Sequence, residues 1–478
     1  MSFEDAGNRH IPEARELGRR SVLKLAAGAA AVGTVGVGTS AHAYAADAGY
    51  NVIVIGAGFA GVAAARELRS YGLSPLILEA RNRIGGRTWT DTMAGKRIEL
   101  GGSWFSQHQS LVMKELQRYG LNLVPEGVAP QRAIFPAAGG GFRDLDALEG
   151  FAENEALMVR LFEGTRDYYP RPLTPLYASD AIREADRKSL LDRLNELDLT
   201  QQERLLLSSL TAGYSGGKSA DGGLTALGAW WALPGHDPAG WYSLIGQVNE
   251  SGGTGGLIQR MLADARAEVL YNSPVASVYD SGSKVTVTTR DGRSYTAPTA
   301  VVAVPANVWK DIRFSPGLPP LHQEVAAQGS GVYKVTKFWI RVSGVPKYVS
   351  AAGQEGHPIS ALFTYYDLGG GQQMLIGFAE DPALNVANIA QLQPVVRQML
   401  PNAVIHEVRA ANWGTDQFAR GGWALRRPGQ LTRHLPGIQN TVGRLSFAND
   451  GIASGWVGFI DGAIETGVRA AQQAAGRA

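Results

Sequence analysis

The chain contains no cysteine in 478 residues. Thiol catalysis, thiolate metal sites, iron–sulfur clusters and disulfides are excluded together. An excess of charge of either sign is also missing: 45 basic residues stand against 43 acidic ones, a net charge of +2, with no basic block or aromatic–basic stripe of the kind that tracks a phosphate backbone. Nucleic acid is not expected as a partner. The eight histidines never adopt a metal-binding spacing such as H-E-x-x-H, so no metal is expected either. Long apolar runs are lacking too. The uncharged Ala/Gly-rich stretch from Leu25 to Gly38 is too short and too weakly apolar to span a bilayer.

What is present begins with an address. Arg19-Arg20-Ser21-Val22-Leu23-Lys24 is a twin-arginine element, followed by the Ala/Gly-rich stretch and a small-residue cleavage site at Ala41-His42-Ala43. Residues 1–43 are therefore expected to be a signal peptide, and the folded protein to be exported to the periplasm or another extracytoplasmic space. The remaining length, with 45% apolar residues in the whole chain, suffices for two or three domains.

The run Tyr50 to Ile55 predicts a buried strand, and it enters Gly56-Ala57-Gly58-Phe59-Ala60-Gly61 directly. An Ala-rich helical pattern follows to about Tyr71, then a second strand run, Pro75 to Leu78, ending on Glu79. This is the full context of a dinucleotide fold. Gly56 allows the tight turn, Gly58 lets backbone approach a pyrophosphate, and Gly61 permits close helix–strand packing. The helix N-terminus offers unpaired N–H groups to phosphate. Glu79 stands where a carboxylate meets ribose hydroxyls, and it would repel a 2′-phosphate. Next come Arg81, Arg83 and Arg87 around Gly85-Gly86, three cations placed for a pyrophosphate, and Gly101-Gly102-Ser103-Trp104, where bare backbone can meet a flat ring.

These motifs, Gly56 to Gly61, Glu79-Ala80-Arg81, Gly85-Gly86-Arg87 and Leu100-Gly101-Gly102-Ser103, resemble in order those of bacterial flavin monoamine oxidases, and the likeness runs from about Tyr50 to the C-terminus. Tyr169-Pro170-Arg171-Pro172, the twin-arginine signal and the ending Gly455 to Gly467 resemble the nicotine-degradation branch. The resemblance implies an α/β fold: a Rossmann-type FAD-binding domain, glutathione-reductase-like, with an α+β substrate domain as in monoamine oxidase. It implies FAD as cofactor. Gly422 stands where some relatives carry a flavin-linked cysteine, so the FAD is expected to be non-covalent. A small-molecule amine is the implied substrate, with a nicotine-pathway amine such as pseudooxynicotine as one candidate, O2 or a cytochrome c as electron acceptor and a homodimer as the assembly.

The resemblance also assigns residues. Val275 matches a residue that binds adenine through its backbone; Gly458, Phe459 and Ile460, at the start of an amphipathic helix reaching about Ala475, meet the pyrimidine edge of the flavin. Asn449-Asp450-Gly451 stands where many relatives have Gly-x-Glu, which leaves Asp450 to take over those contacts. Trp423 and Phe459 match the two aromatic residues that flank the amine in front of the flavin. A lysine of the strand run 332–340 holds a water near flavin N5; the match favours Lys334, with Lys337 as runner-up, and alternation places the two on opposite faces. Trp104, Tyr214, Trp230 and Trp231 are candidate cavity walls, and His108 is the histidine nearest the site.

The FAD domain is expected to be discontinuous, at 48–127, 250–318 and 412–478, with 128–249 and 319–411 forming the substrate domain. Residues 146–212 look mostly helical, and 389–400 likewise. An amino-acid oxidase is the competing enzyme reading; it needs an arginine to clamp the substrate carboxylate, for which Arg426 or Arg427 is available. A flavin-binding carrier without turnover is the third reading.

Overall fold

Five short strand runs far apart in sequence meet in one parallel sheet. In a computed structural model that describes residues 49–478 apart from 126, 245–246 and 250–251, and 247–249 by backbone alone, Leu445–Phe447 and Thr299–Val302 lie on one side of Val52–Ile55, and Pro75–Leu78 and Glu268–Leu270 on the other. The expected signal at 1–43 lies outside the described residues.

A parallel sheet must be covered on both faces, and the alternation of the central strand shows how. Val52 and Val54 pack with Ala60, Ala64 and Leu68 of the helix Phe59–Ser70 and with Ala470, Ala471 and Ala474 of the helix Ile460–Ala475. Ile53 and Ile55 face the other way, onto Val278, Val285 and Val287 of a four-stranded sheet built from Val275–Asp280, Val285–Thr289, Ser294–Ala297 and Arg313–Ser315. This is the Rossmann-type α/β part.

The second part is α+β. Its seven-stranded sheet runs in the order Val404–Asn412, Thr336–Ser343, Gln372–Ala379, Ile359–Gly369, Val349–Ala352, Arg132–Pro136, Phe142–Asp146, antiparallel except where 349–352 meets 132–136. Phe338, Ile340 and Val342 point toward Leu392 and Val396 of the helix Ile389–Met399. Trp339 points the opposite way, into the core shared with the helices Ala147–Leu161 and Gln201–Ser215. The latter helix starts at a Thr200–Glu203 capping box and stops at Gly216, whose φ of 78° is left-handed, so Tyr214 sits in a fixed last turn.

The strand expected at 332–340 begins only at Thr336 and continues to Ser343. Val332 and Val335 exchange backbone bonds with Trp423, Gly422 and Trp413 instead of extending the ladder, which holds residues 332–335 as a loop. Among the described residues no helix is long and apolar enough to cross a membrane.

Candidate functional site

A cavity of about 500 Å³ opens at the carboxyl ends of the parallel strands and reaches the aromatic core beneath the seven-stranded sheet. At its first end Gly56 and Gly58 lie between the Val52–Ile55 strand and the Phe59–Ser70 helix, whose N-terminus has no side-chain cap. Its free N–H groups are available to an anion. Glu79 is buried there, accepting from the backbone N–H of Ala57 at 2.7 Å and of Arg81 at 2.8 Å. Burial raises its pKa, and those two donors oppose the shift. Ala80, Ser273, Pro274 and Val275 complete this end.

The three arginines divide their work. Arg81 pairs with Asp416, and Arg87 pairs with Asp450 while donating to the Gly422 carbonyl at 2.7 Å; both line the cavity. Arg83 is not among the lining residues. Its guanidinium donates to the carbonyls of Ile84, Thr88 and Gly86 at 3.0–3.1 Å and holds the loop from inside. Asp450 lines the cavity, with its carboxylate committed to Arg87.

At the far end Gly101, Gly102, Ser103 and Trp104 form one wall. Lys337, buried, donates to the Gly101 carbonyl at 2.7 Å and to the Ser103 hydroxyl, and its ammonium lies 4.8 Å from the Trp104 ring centroid. Burial pushes the Lys337 ammonium down to about 7, and the attraction of Glu99 opposes that shift. Glu99 is itself buried and raised by desolvation, against hydrogen bonds from Thr254 and Thr90. Trp423 lines the same space; its indole N–H donates to the Tyr214 carbonyl at 3.0 Å, and its ring meets Phe378 edge-on at 5.9 Å. Phe459 is set by Trp230, whose ring lies 4.9 Å away at 68° and whose N–H bonds the Val457 carbonyl. Gly458 turns the chain into the Ile460–Ala475 helix at a φ of 87°, a left-handed conformation that disfavours any side chain, and Ile460 opens that helix against the cavity.

The residues present fit a dinucleotide with a flat ring. Gly58 and Gly86 lie side by side in the lining, a Cβ on Gly86 falling 3.4 Å from the Gly58 Cα, so the two present adjoining bare backbone to a pyrophosphate. Trp104, whose buried indole N–H has no hydrogen-bond partner among the described residues, borders the space next to Lys337. A side chain at Gly422 would run into Val335, which leaves no place for a linking residue.

Most residues expected from the sequence are brought together here; the others lie as follows. Lys334 is exposed and lines a different pocket, because it precedes the strand; Lys337, on the strand and on the face of Trp339, is the lysine in the cavity. Gly61 is not a lining residue: its Cα side packs against the Gly56 carbonyl and Ala303, the helix–strand contact read from the motif. Trp231 stacks on Phe162 at 5.0 Å in the core, away from the lining, whereas Trp104, Tyr214 and Trp230 do line it. His108 is exposed and takes no part. Neither arginine proposed as a carboxylate clamp reaches the cavity. Arg426 donates to the Ala453 carbonyl at 2.6 Å, and Arg427 lies 4.7 Å over the Tyr333 ring. Phe378, Phe363 and Trp241 were missed. Phe378 is the register partner of Lys337, a relation that only strand pairing reveals.

The sequence model of the family described as "Flavin containing amine oxidoreductase" matches residues 59–475. The pseudooxynicotine dehydrogenase of a Pseudomonas species is 33% identical, over 94% of this chain and 93% of its own length. The nicotine dehydrogenase of Pseudomonas putida is also 33% identical, over 89% and 88%. Wild-type putrescine oxidase bound to putrescine shares the fold, with a TM-score of 0.75 and 23% identity over 90% of this chain and 99% of that one.

Proposed function

Because the chain belongs to the flavin containing amine oxidoreductases, and so is an FAD enzyme that oxidises amines, we propose that it acts on a primary or secondary amine with an aromatic or otherwise apolar body, held between Trp423 and Phe459. One observation carries the substrate class: the aromatic end of the cavity is walled by Trp104, Tyr214, Trp230, Phe363 and Phe378, and the arginines of the lining are engaged elsewhere, Arg81 with Asp416, Arg87 with Asp450 and Arg290 with Gln417. An amine fits that slot; an amino-acid carboxylate finds no clamp.

FAD, when bound, supplies the hydride acceptor. The Gly56–Gly58 turn, the uncapped helix start and Glu79 hold its nucleotide end; Arg87, Gly101, Ser103, Trp104 and the Gly458–Ile460 segment meet the rest. Trp423 and Phe459 align the amine nitrogen and keep water away, and their apolar faces favour the uncharged amine over the ammonium. Lys337 holds and moves a proton at the wall formed by Ser103 and Trp104. The product imine hydrolyses to a carbonyl compound and a smaller amine.

The substrate belongs to the pyridine-alkaloid class, as the names of the two 33% relatives suggest, with pseudooxynicotine the first to try. Both are called dehydrogenases, which supports a cytochrome c rather than O2 as acceptor. Enzyme reduced by pseudooxynicotine is therefore expected to stay bleached for minutes in air and to recolour at once with oxidised cytochrome c. Rapid recolouring with peroxide would make it an oxidase, and no bleaching by the amine but bleaching by amino acids would overturn the substrate class. Periplasmic placement rests on the Arg19-Arg20 element and a homodimer on the resemblance; fractionation and light scattering test them.

A further inference from the structure

Behind the wall made by Trp423 lies a second pocket of about 310 Å³. The two spaces are divided by neighbouring residues of the same segments: Tyr214, Phe378 and Trp423 face the first, Ser215, Glu380 and Leu425 the second. Its charged residues fall into two groups. Lys218, Asp221, Lys334 and Asp381 are exposed around the mouth. Glu380 is 7% exposed and shares the lining with the apolar Val332 and Leu425. The Ser360 hydroxyl, which donates to the Phe378 carbonyl at 3.4 Å, lies near the Glu380 carboxyl group; Oε2 is on the side of Gly217, and Oε1 is buried with no partner among the described residues. A buried, half-satisfied carboxyl group is costly unless something else binds it.

We propose that this pocket is a second ligand site, separate from the amine-oxidising cavity, that takes a small alkylammonium ion with its N–H donated to the Glu380 carboxyl group on the Oε2 side and its alkyl group against Val332 and Leu425. The geometry favours an organic ammonium over a metal ion: a single buried carboxylate gives too few ligands, and no cluster of three or more metal-binding side chains exists among the described residues. The lining charges, Lys218, Lys334 and Arg427 against Asp221, Glu380 and Asp381, balance, so the buried carboxylate and not a general field decides the sign of the ligand. His357, also in the lining, is engaged with Ile359 and Gln398. The occupant in the cell is a protonated amine of the kind the enzyme oxidises; that identification rests on the proposed function, while the cation site does not.

Burial holds the empty Glu380 carboxyl up at about 8, so near neutral pH it carries a proton that a bound cation must expel. The probe is tert-butylammonium chloride, which bears no hydrogen on its nitrogen-linked carbon and so cannot be oxidised by hydride loss. Calorimetry on the holoenzyme at pH 7, in two buffers of different ionisation enthalpy, is expected to show release of about one proton per ligand. Affinity is expected to rise as pH climbs from 6 to 9 while the ligand stays charged. In Glu380→Gln, with flavin content and absorbance unchanged, binding is expected to weaken about tenfold or more and proton release to vanish. Binding that is independent of pH in the wild-type protein, or equal in the variant, would overturn the site; neither result bears on amine oxidation.

Discussion

Trp423→Ala is expected to slow anaerobic flavin reduction by an amine by about 100-fold, with little loss of bound FAD. The indole is fixed from two sides, by its N–H bond to Tyr214 and its edge contact with Phe378, so its face toward the cavity is a rigid surface. Removing it leaves the amine free to tumble in front of the acceptor and lets water in. The residues proposed to bind the nucleotide, Gly56, Gly58, Glu79 and Arg87, are not held by the Trp423 side chain, whose N–H bonds Tyr214. Trp423→Phe keeps an aromatic face and is expected to recover most of the rate. Stopped-flow reduction with the flavin content measured in parallel checks this; an unchanged rate would remove Trp423 from the substrate slot.

Lys337→Met is expected to lower turnover by about 100-fold or more and to remove a pH dependence centred near neutrality. The buried ammonium is pushed down to about 7, so the uncharged, proton-accepting form is present above that pH and lost as pH falls below it. Activity limited by this proton transfer should therefore rise with pH through about 7 in the wild-type protein and stay flat in the variant. Lys334→Met, on the exposed loop, serves as the control and should leave both rate and profile unchanged. A variant at 337 that keeps the wild-type profile would show that the lysine only braces Gly101 and Ser103.

How much of this could be read in advance follows from the range of the interactions involved. The glycine turn, Glu79 and the Gly101–Trp104 wall are local: spacing along one strand and one helix start fixes where each faces, and the cavity contains them as expected. Lys337 was obscured because the strand's start at Thr336 depends on bonds to Trp413, Gly422 and Trp423, which are distant in sequence. Trp230 and Trp231 show the same limit on a helix. One residue of rotation sends the first to Phe459 and the second to Phe162, and nothing local distinguishes them. Arg83 looked like a phosphate ligand by charge alone, yet three carbonyls of its own loop claim it. Phe378 and Trp241 belong to elements whose register or docking is set by the whole fold.

The account stands on an amine giving up hydride inside the cavity that joins the glycine turn to Trp423 and Phe459. Its most direct test is anaerobic titration of the purified yellow protein with pseudooxynicotine, following flavin absorbance. Complete bleaching at about one equivalent of amine per flavin, blocked when a competing amine fills the slot, is the expected outcome. A protein that binds no flavin, or whose flavin stays oxidised under every amine offered, would contradict it.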